Sequence, residues 1–190
     1  LHKAIRRQRQ MCIRDSTYIY HSGFAIEADE FAILIDYYKD TGRSPEKGFV
    51  HEKLLNRAGT LYVLSSHFHP DHFNPEVLRW KTYKKDIVYL FGKDILKRNR
   101  AGKEDAIYLK KEDSYEDHNL WIKAFGSTDS GISFLIEAEG RRHERHKHRL
   151  AARHDGLGAV ILKVGREHHD LVARIREGKN GVHHCLGRAD

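Results

Sequence analysis

The chain has 190 residues and a formal net charge of +7, a length sufficient for one domain with a sizeable core. The charge is unevenly placed: residues 1–16 carry +4, residues 17–140 carry −3 and residues 141–190 carry +6. The net negative charge of the central segment argues against a nucleic-acid-binding domain. No apolar run approaches the roughly 20 residues that a membrane-spanning helix needs.

The composition changes at the same two boundaries. All nineteen aromatic residues lie within 17–140, and eight of the fifteen histidines lie within 141–190. We expect a non-native basic leader at 1–16, similar to translated sequencing-adapter read-through, then one globular segment, then a basic tail from a frameshifted or chimeric translation. Two alternatives remain for the flanks, a basic nucleic-acid-binding arm and a His-rich metal-binding tail. The tail residues that suggest metal binding are His143, His146, His148, His168, His169, His183, His184 and Cys185.

The cysteine content indicates a reducing compartment. Cys12 and Cys185 lie in opposite flanks and build no disulfide framework. No apolar stretch of the kind found in signal peptides follows the charged N-terminus. The sequence therefore predicts a cytoplasmic protein with no membrane partner.

The central segment alternates between predicted strands and helices. Asn74 is a typical N-cap and Pro75 a typical first-turn residue, so a helix is expected from there, with a second helix over 93–100. The segment 37–59 is predicted to be mostly loop. In the tail, 159–164 has the composition of a strand and 171–176 that of a helix. Apolar, β-branched and aromatic runs predict strands at 17–21, 24–27, 31–36, 60–65, 86–91, 106–109, 120–125 and 132–137. This pattern is typical of an α/β layered domain.

The motif that carries chemistry lies between the predicted strand at 60–65 and the predicted helix at 74. It has the form His-x-His-x-Asp-His and consists of His67, His69, Asp71 and His72. Imidazole and carboxylate groups are the ligands that suit zinc and related divalent ions. A loop that leaves a strand can turn the first two side chains toward one point and the last two toward a second. Two metals roughly 3.5–4 Å apart would activate a water for attack.

The order of strand, motif and helix resembles the metallo-β-lactamase-fold metal-dependent hydrolases. The resemblance implies a four-layer αββα sandwich, here truncated after about residue 140. It implies that His67 and His69 bind one zinc ion and that Asp71 and His72 bind another, with Mn²⁺ or Fe²⁺ as alternatives. Asp71 would also orient the attacking water or receive its proton.

Three further residues have roles implied by the same resemblance. Asp36, at the end of a predicted strand, matches an acidic residue that supports the metal-binding loop; the alternative is a plain turn residue. Ser127 and Asp129 belong to a Ser-Thr-Asp sequence that resembles a poorly characterised bacterial branch of this family. They would support the metal ligands through hydrogen bonds or contact the substrate. The alternative for them is a plain loop.

The sequence also departs from the pattern of this family. It has no His at the usual third motif and no Gly-Asp after residue 140, which leaves at most four of the expected ligands. The expected function is a hydrolase of a small molecule with an ester, lactone or phosphoester-type bond, inactive or impaired in this chain. A non-catalytic nucleic-acid-binding protein and a His-rich metal-binding protein are the alternatives.

Overall fold

The computed structural model of this chain describes residues 13–44, 47–127, 130–138, 159–167, 170–176 and 184–185. Its strands are β1 Ile13–Tyr18, β2 Phe24–Ala28, β3 Phe31–Ile35, β4 Thr60–Ser65, β5 Ile87–Gly92, β6 Ile107–Leu109, β7 Ser114–Glu116, β8 Leu120–Gly126, β9 Ile132–Ala138, β10 Ala159–Glu167, β11 Asp170–Arg176 and β12 His184–Cys185. The helical elements are a π-helical turn Val50–Leu54, a 3-10 helix Pro75–Thr82 and the α-helix α1 Lys93–Lys97.

The largest sheet has six strands in the order β1-β2-β3-β4-β5-β6. Its first three strands pair antiparallel, and β3 to β6 pair parallel. A second sheet contains β7, β8 and β9, and a third contains β10, β11 and β12. The loop that follows β4 therefore leaves the middle of the parallel half of the large sheet.

Both faces of the six-stranded sheet are buried, as β3 illustrates. Phe31, Ile33 and Ile35 join a core shared with β8 and β9, whereas Ala32 and Leu34 join a core shared with the helical elements. Successive side chains of a strand point to opposite faces, so one apolar run of five residues supplies both cores. The result is a helical layer, a mixed sheet and a second sheet, as the predicted α/β layered class requires.

The helix after the motif begins as the sequence predicted. The Asn74 side chain accepts a hydrogen bond from the backbone N–H of Glu76 at 2.9 Å, and Pro75 occupies the first turn. The element is a 3-10 helix, and its buried residues, Val77 and Trp80, are three apart and therefore share a face at three residues per turn.

Some predicted boundaries differ from the observed ones. β1 begins at Ile13, inside the predicted leader, and ends at Tyr18 rather than at residue 21. The helix α1 ends at Lys97 rather than at residue 100, and Asn99 just beyond it is left-handed, with φ 54°. The short strand β7 was not predicted.

One prediction in the tail is wrong. The predicted strand at 159–164 falls within β10, but the predicted helix at 171–176 is the strand β11, which pairs antiparallel with β10. A seven-residue segment is too short to be stable as an isolated helix, and its β-branched Val172 and Ile175 favour a strand once a partner strand is available. In the parts of the chain described, no helix combines the length and apolar character needed to cross a membrane.

Candidate metal site

The His-x-His-x-Asp-His motif forms a tight loop directly after β4. Ser66 and His67 are buried, so the loop enters the protein before it turns outward. The backbone N–H groups of His72 and Phe73 both donate to the carbonyl oxygen of His69 at 2.9 Å, which folds the loop back on itself. The Phe73 ring then packs against Phe91 with 5.2 Å between centroids. This turn brings side chains of the motif close to one another.

The first two histidines form a pair. Nε2 of His67 lies 3.1 Å from Nδ1 of His69. The other ring nitrogen of His67 lies 2.9 Å from the Ser66 hydroxyl, which fixes the orientation of the ring. Two nitrogens that share one tetrahedral zinc ion lie about 3.3 Å apart, given Zn–N bonds of about 2.0–2.1 Å. The observed separation is therefore close to that of two ligands of one ion.

Asp71 and His72 form a second pair, with 3.4 Å between Asp71 Oδ2 and His72 Nε2. The other ring nitrogen of His72, Nδ1, donates to Asp36 Oδ2 at 2.8 Å. A carboxylate behind a metal-binding histidine commonly fixes its orientation and tautomer in this way. The structure thus places the two predicted ligand pairs side by side on one loop.

Asp36 is fully buried and connects the strand β3 to the motif loop. Its carboxylate accepts from the Ser66 backbone N–H at 2.7 Å and from the Ser66 hydroxyl at 2.8 Å, as well as from His72. Asp36 has φ 48°, a left-handed conformation that is uncommon outside glycine. The chain therefore turns sharply at the end of β3, at the residue whose carboxylate reaches the loop.

The turn between β1 and β2 also reaches the site, which was not predicted. Ser22 Oγ lies 3.4 Å from His72 Nε2, and His21 Nδ1 lies 3.9 Å from Asp71 Oδ2. A Ser-Gly turn was recognisable, but nothing in the local pattern shows which loop it faces. The loop that this turn faces is determined by the pairing of β2 with β3, which joins residues that are distant along the chain.

The segment between β8 and β9 packs directly on the motif. The backbone N–H of Ile132 donates to the Ser66 carbonyl oxygen at 3.1 Å. A Cβ at Gly131 would lie only 2.5 Å from the Cβ of His67, so glycine is required for this close approach. Ser127 is half-buried at the end of β8, and Asp129 lies outside the described residues. Its predicted role, like that of Ser127, stays a prediction.

The chemistry of these donors fits a divalent metal, but the described residues form an incomplete site. Three imidazoles and a carboxylate lie on one loop, and the spacing within the His67–His69 pair is that of shared ligands. Nevertheless, among the described residues no group of three or more His, Cys, Asp or Glu side chains is arranged to hold an ion. The pairs therefore supply two donors each, and the assignment of each motif residue as a ligand stays a prediction.

Comparison with known families identifies the domain. Residues 16–147 match the family described as the Beta-lactamase superfamily domain, which is more than half of the chain. The chain belongs to this superfamily. The predicted metallo-β-lactamase-like fold is thereby confirmed for its N-terminal part, and the superfamily is one of metal-dependent, hydrolase-like proteins. No curated protein matches the chain significantly.

Several solved structures are similar to this superfamily member at low sequence identity. CmlA from Streptomyces venezuelae, a diiron β-hydroxylase, is 20% identical with a TM-score of 0.47, over 65% of this chain and 27% of CmlA. A possible metal-dependent hydrolase from Veillonella parvula is 14% identical with a TM-score of 0.44, over 67% of this chain and 59% of that protein. MEM-A1, a subclass B3 metallo-β-lactamase from a soil metagenome, is 14% identical with a TM-score of 0.44, over 66% and 58%. The chain thus spans about a quarter of CmlA and less than two thirds of the others.

Besides the motif loop, the superfamily domain carries a second polar cluster at an open cleft of about 760 Å³. His51 lies between two carboxylates, with Nδ1 2.7 Å from Asp40 Oδ2 and Nε2 2.9 Å from Glu76 Oε1. Burial alone would raise the pKa of Asp40. The carboxylate accepts hydrogen bonds from the His51 and Val50 backbone N–H groups and from the His51 ring, and together these outweigh burial and hold the pKa below its usual range. Burial, followed by the charges of Glu76 and Asp40, raises the pKa of Tyr37 far above its usual value. The cluster joins the loop after β3, the π-helical turn and the 3-10 helix.

Proposed function

We propose that this chain is a metal-dependent hydrolase that acts on a small molecule with an ester, lactone or phosphoester-type bond. One observation carries the proposal: a loop of a beta-lactamase-superfamily domain brings together two donor pairs, His67 with His69 and Asp71 with His72. Zinc is the metal we propose first, with Mn²⁺ and Fe²⁺ as alternatives, because imidazole and carboxylate ligands suit all three.

His67 Nε2 and His69 Nδ1 would hold one ion, and His72 Nε2 and Asp71 Oδ2 would hold another. Such ions, when bound, lower the pKa of a coordinated water and offset the negative charge that develops on the attacked group. The Asp71 side chain is about one third exposed, at 34%, so it remains accessible from the solvent side of the loop. We assign to Asp71 Oδ2 the orientation of the attacking water and acceptance of its proton.

The residues behind the loop keep these donors in place. The Ser66 hydroxyl lies at hydrogen-bond distance from both Asp36 and His67, and the Asp36 carboxylate holds the His72 ring. The contacts of Ser66 with His67 and of Asp36 with His72 each hold one ring nitrogen and leave the other facing its partner donor. Because each pair supplies only two donors, we expect weak metal retention and slow turnover.

The test uses the full chain, stripped with chelator and reloaded with Zn²⁺, Mn²⁺ or Fe²⁺. Metal content and hydrolysis of a p-nitrophenyl ester, a lactone and bis-p-nitrophenyl phosphate are measured for the native chain and for the double variant His67→Ala/His69→Ala. The matched control is His118→Ala, because His118 is exposed and lies outside the motif. We expect slow, chelator-sensitive hydrolysis of at least one substrate, lost in the double variant only. Equal metal content and equal hydrolysis in the native chain and the double variant would contradict the proposal.

A further inference from the structure

We propose that Tyr20, Tyr38 and Lys39 form a substrate-binding surface beside the motif loop. This surface selects a small molecule with a flat aromatic group that carries a negative charge. The inference rests on the proposed function, since it concerns the substrate of the same site. It adds three residues that lie outside the His-x-His-x-Asp-His motif and a substrate class that the motif does not specify.

The two tyrosine rings form an exposed pair. Tyr20 lies in the turn between β1 and β2 and Tyr38 in the loop after β3, and their ring centroids are 5.9 Å apart at an interplanar angle of 28°. Tyr20 is 39% exposed and Tyr38 is 37% exposed, whereas the neighbouring Tyr37 is buried. Contiguous exposed apolar surface is typical of binding sites, and aromatic rings attract a further ring edge to face or offset-stacked. The pair therefore offers a surface against which an aromatic ligand can pack.

The aromatic pair is connected to the motif through His21. The His21 ring contacts the Tyr38 ring edge to face, with 6.1 Å between centroids at an angle of 78°. On its other side, His21 Nδ1 lies 3.9 Å from Asp71 Oδ2, the atom to which we assign the attacking water. The surface thus begins at the proposed site of chemistry, and a ligand packed on it has its reacting bond near Asp71.

Backbone contacts fix both tyrosines relative to the motif loop. The Tyr38 carbonyl oxygen accepts a hydrogen bond from Asn74 Nδ2 at 2.7 Å, and Asn74 begins the helix that follows the loop. A Cβ at Gly23 would lie 3.3 Å from the Asp36 carbonyl oxygen, so the turn that carries Tyr20 packs against the residue that supports the loop. A surface held in this way needs little ordering when a ligand binds, which favours affinity.

Lys39 supplies a positive charge on this surface. Its Nζ lies over the Tyr20 ring, 3.8 Å from the centroid, a contact that holds the ammonium group in place. Lys39 is exposed, and no carboxylate among the described residues pairs with it. An ammonium group without a carboxylate partner is available to an anionic group of a ligand. Charge complementarity therefore favours a ligand whose anionic group lies at Lys39 and whose reacting bond lies toward Asp71.

The first experiment measures binding without chemistry, in the metal-free full chain. Dissociation constants of 4-methylbenzoate and of its neutral analogue 4-methylbenzamide are obtained by ligand-observed NMR titration. The variants are Tyr38→Ala and Lys39→Gln. The matched controls are Tyr83→Ala and Lys85→Gln, because both residues are exposed and lie outside the proposed surface.

We expect the native chain to bind 4-methylbenzoate more tightly than 4-methylbenzamide. Tyr38→Ala should weaken binding of both compounds about 3- to 10-fold, and Lys39→Gln should weaken that of 4-methylbenzoate by a similar factor. The controls should bind like the native chain, since the basic tail is present in every variant. Equal dissociation constants in all five chains, or equal affinity of the native chain for the two compounds, would overturn the inference.

The second experiment separates this inference from the proposed function. The zinc-loaded chain hydrolyses p-nitrophenyl benzoate and its 4-carboxybenzoate counterpart, which differ only in the negative charge. We expect Lys39→Gln to raise KM for the charged ester about 3- to 10-fold relative to KM for the neutral one. An unchanged ratio of the two KM values would overturn the role of Lys39 and leave the proposed function standing. Probe binding as expected, with no zinc-dependent hydrolysis of either ester, would overturn the proposed function and leave the binding surface standing.

Discussion

Asp36 Oδ2 accepts a hydrogen bond from Nδ1 of His72 at 2.8 Å, and it does so from a fully buried position in a left-handed conformation. The same carboxylate accepts two hydrogen bonds from Ser66, one residue before the first motif histidine. One side chain therefore fixes both the entry to the loop and the ring of its last donor. A strand-end turn residue with no further role would not need to make these three contacts.

The substitution Asp36→Asn tests this role. The amide keeps the shape of the carboxylate but replaces one acceptor oxygen with a donor, so either Ser66 or His72 loses its partner. We expect zinc affinity to fall about 10- to 100-fold, the usual effect of losing a carboxylate behind a metal-binding histidine. Competition with a chromophoric chelator measures the change. The matched control is Asp86→Asn, since Asp86 is exposed; equal affinities in the two variants would refute the role of Asp36.

Gly131→Ala tests the contact between the β8–β9 segment and the motif. Gly131 has φ 77°, and an added Cβ would collide with the Ser66 carbonyl oxygen and approach His67 Cβ to 2.5 Å. We expect the free energy of unfolding to fall by about 1–3 kcal/mol or more, because the backbone conformation and the contact are both unfavourable for alanine. Urea unfolding measures this loss.

Gly126→Ala is the control for that experiment. Its nearest neighbour would be the flexible side chain of Lys111, at 3.3 Å, and the residue lies at the exposed end of β8. We expect a change within about 0.5 kcal/mol. Similar destabilisation by the two substitutions would mean that Gly131 has no special relation to His67.

The position of the motif loop between β4 and the 3-10 helix was predictable because its signals are local. A buried strand, a dense run of donors and the Asn74–Pro75 helix start follow one another along the chain, and each has a recognisable composition. The sequence shows that Asp36 ends an apolar strand, but a role for it at the loop was expected only from the family resemblance.

The partners of the loop were not predictable, because they come from distant segments. His21 and Gly131 lie near the motif because β2 pairs with β3 and β8 pairs with β9. The spacing of residues along the sequence does not indicate which turn faces which loop. The tail shows the same limit. Residues 171–176 have a composition that suits a helix, but pairing with β10 makes them a strand.

Asn74 offers a test of how the 3-10 helix is held in place. Its Oδ1 accepts from the Glu76 backbone N–H at 2.9 Å, and its Nδ2 donates to the Tyr38 carbonyl oxygen at 2.7 Å. Asn74→Ala removes both bonds, whereas Asn74→Asp keeps the cap and loses the second. We expect a loss of about 1–2 kcal/mol in thermal or urea unfolding for alanine and a smaller loss for aspartate. An equal loss in the two variants would show that the bond to Tyr38, and not the cap, accounts for the stability that Asn74 contributes.

The low pKa of Asp40 predicts how the stability of the protein depends on pH. A carboxyl group whose folded-state pKa lies below its unfolded value of about 3.9 stabilises the fold fully above that pH. As the pH falls below about 3.9 toward the folded-state pKa, this stabilisation is lost, because the unfolded chain binds the proton first. The free energy of unfolding should therefore fall steeply with acidification in that window.

Asp40→Asn should reduce both the stability at neutral pH and its loss in acid. Each carboxylate oxygen accepts two or more hydrogen bonds, including those from the Val50 and His51 backbone N–H groups at 3.0 and 2.8 Å. The amide leaves at least one of these buried donors without an acceptor, which costs about 1–3 kcal/mol. Urea unfolding at a series of pH values measures both effects, with Asp86→Asn as the exposed control. An acid limb as steep in Asp40→Asn as in the control would assign the acid sensitivity to other carboxylates.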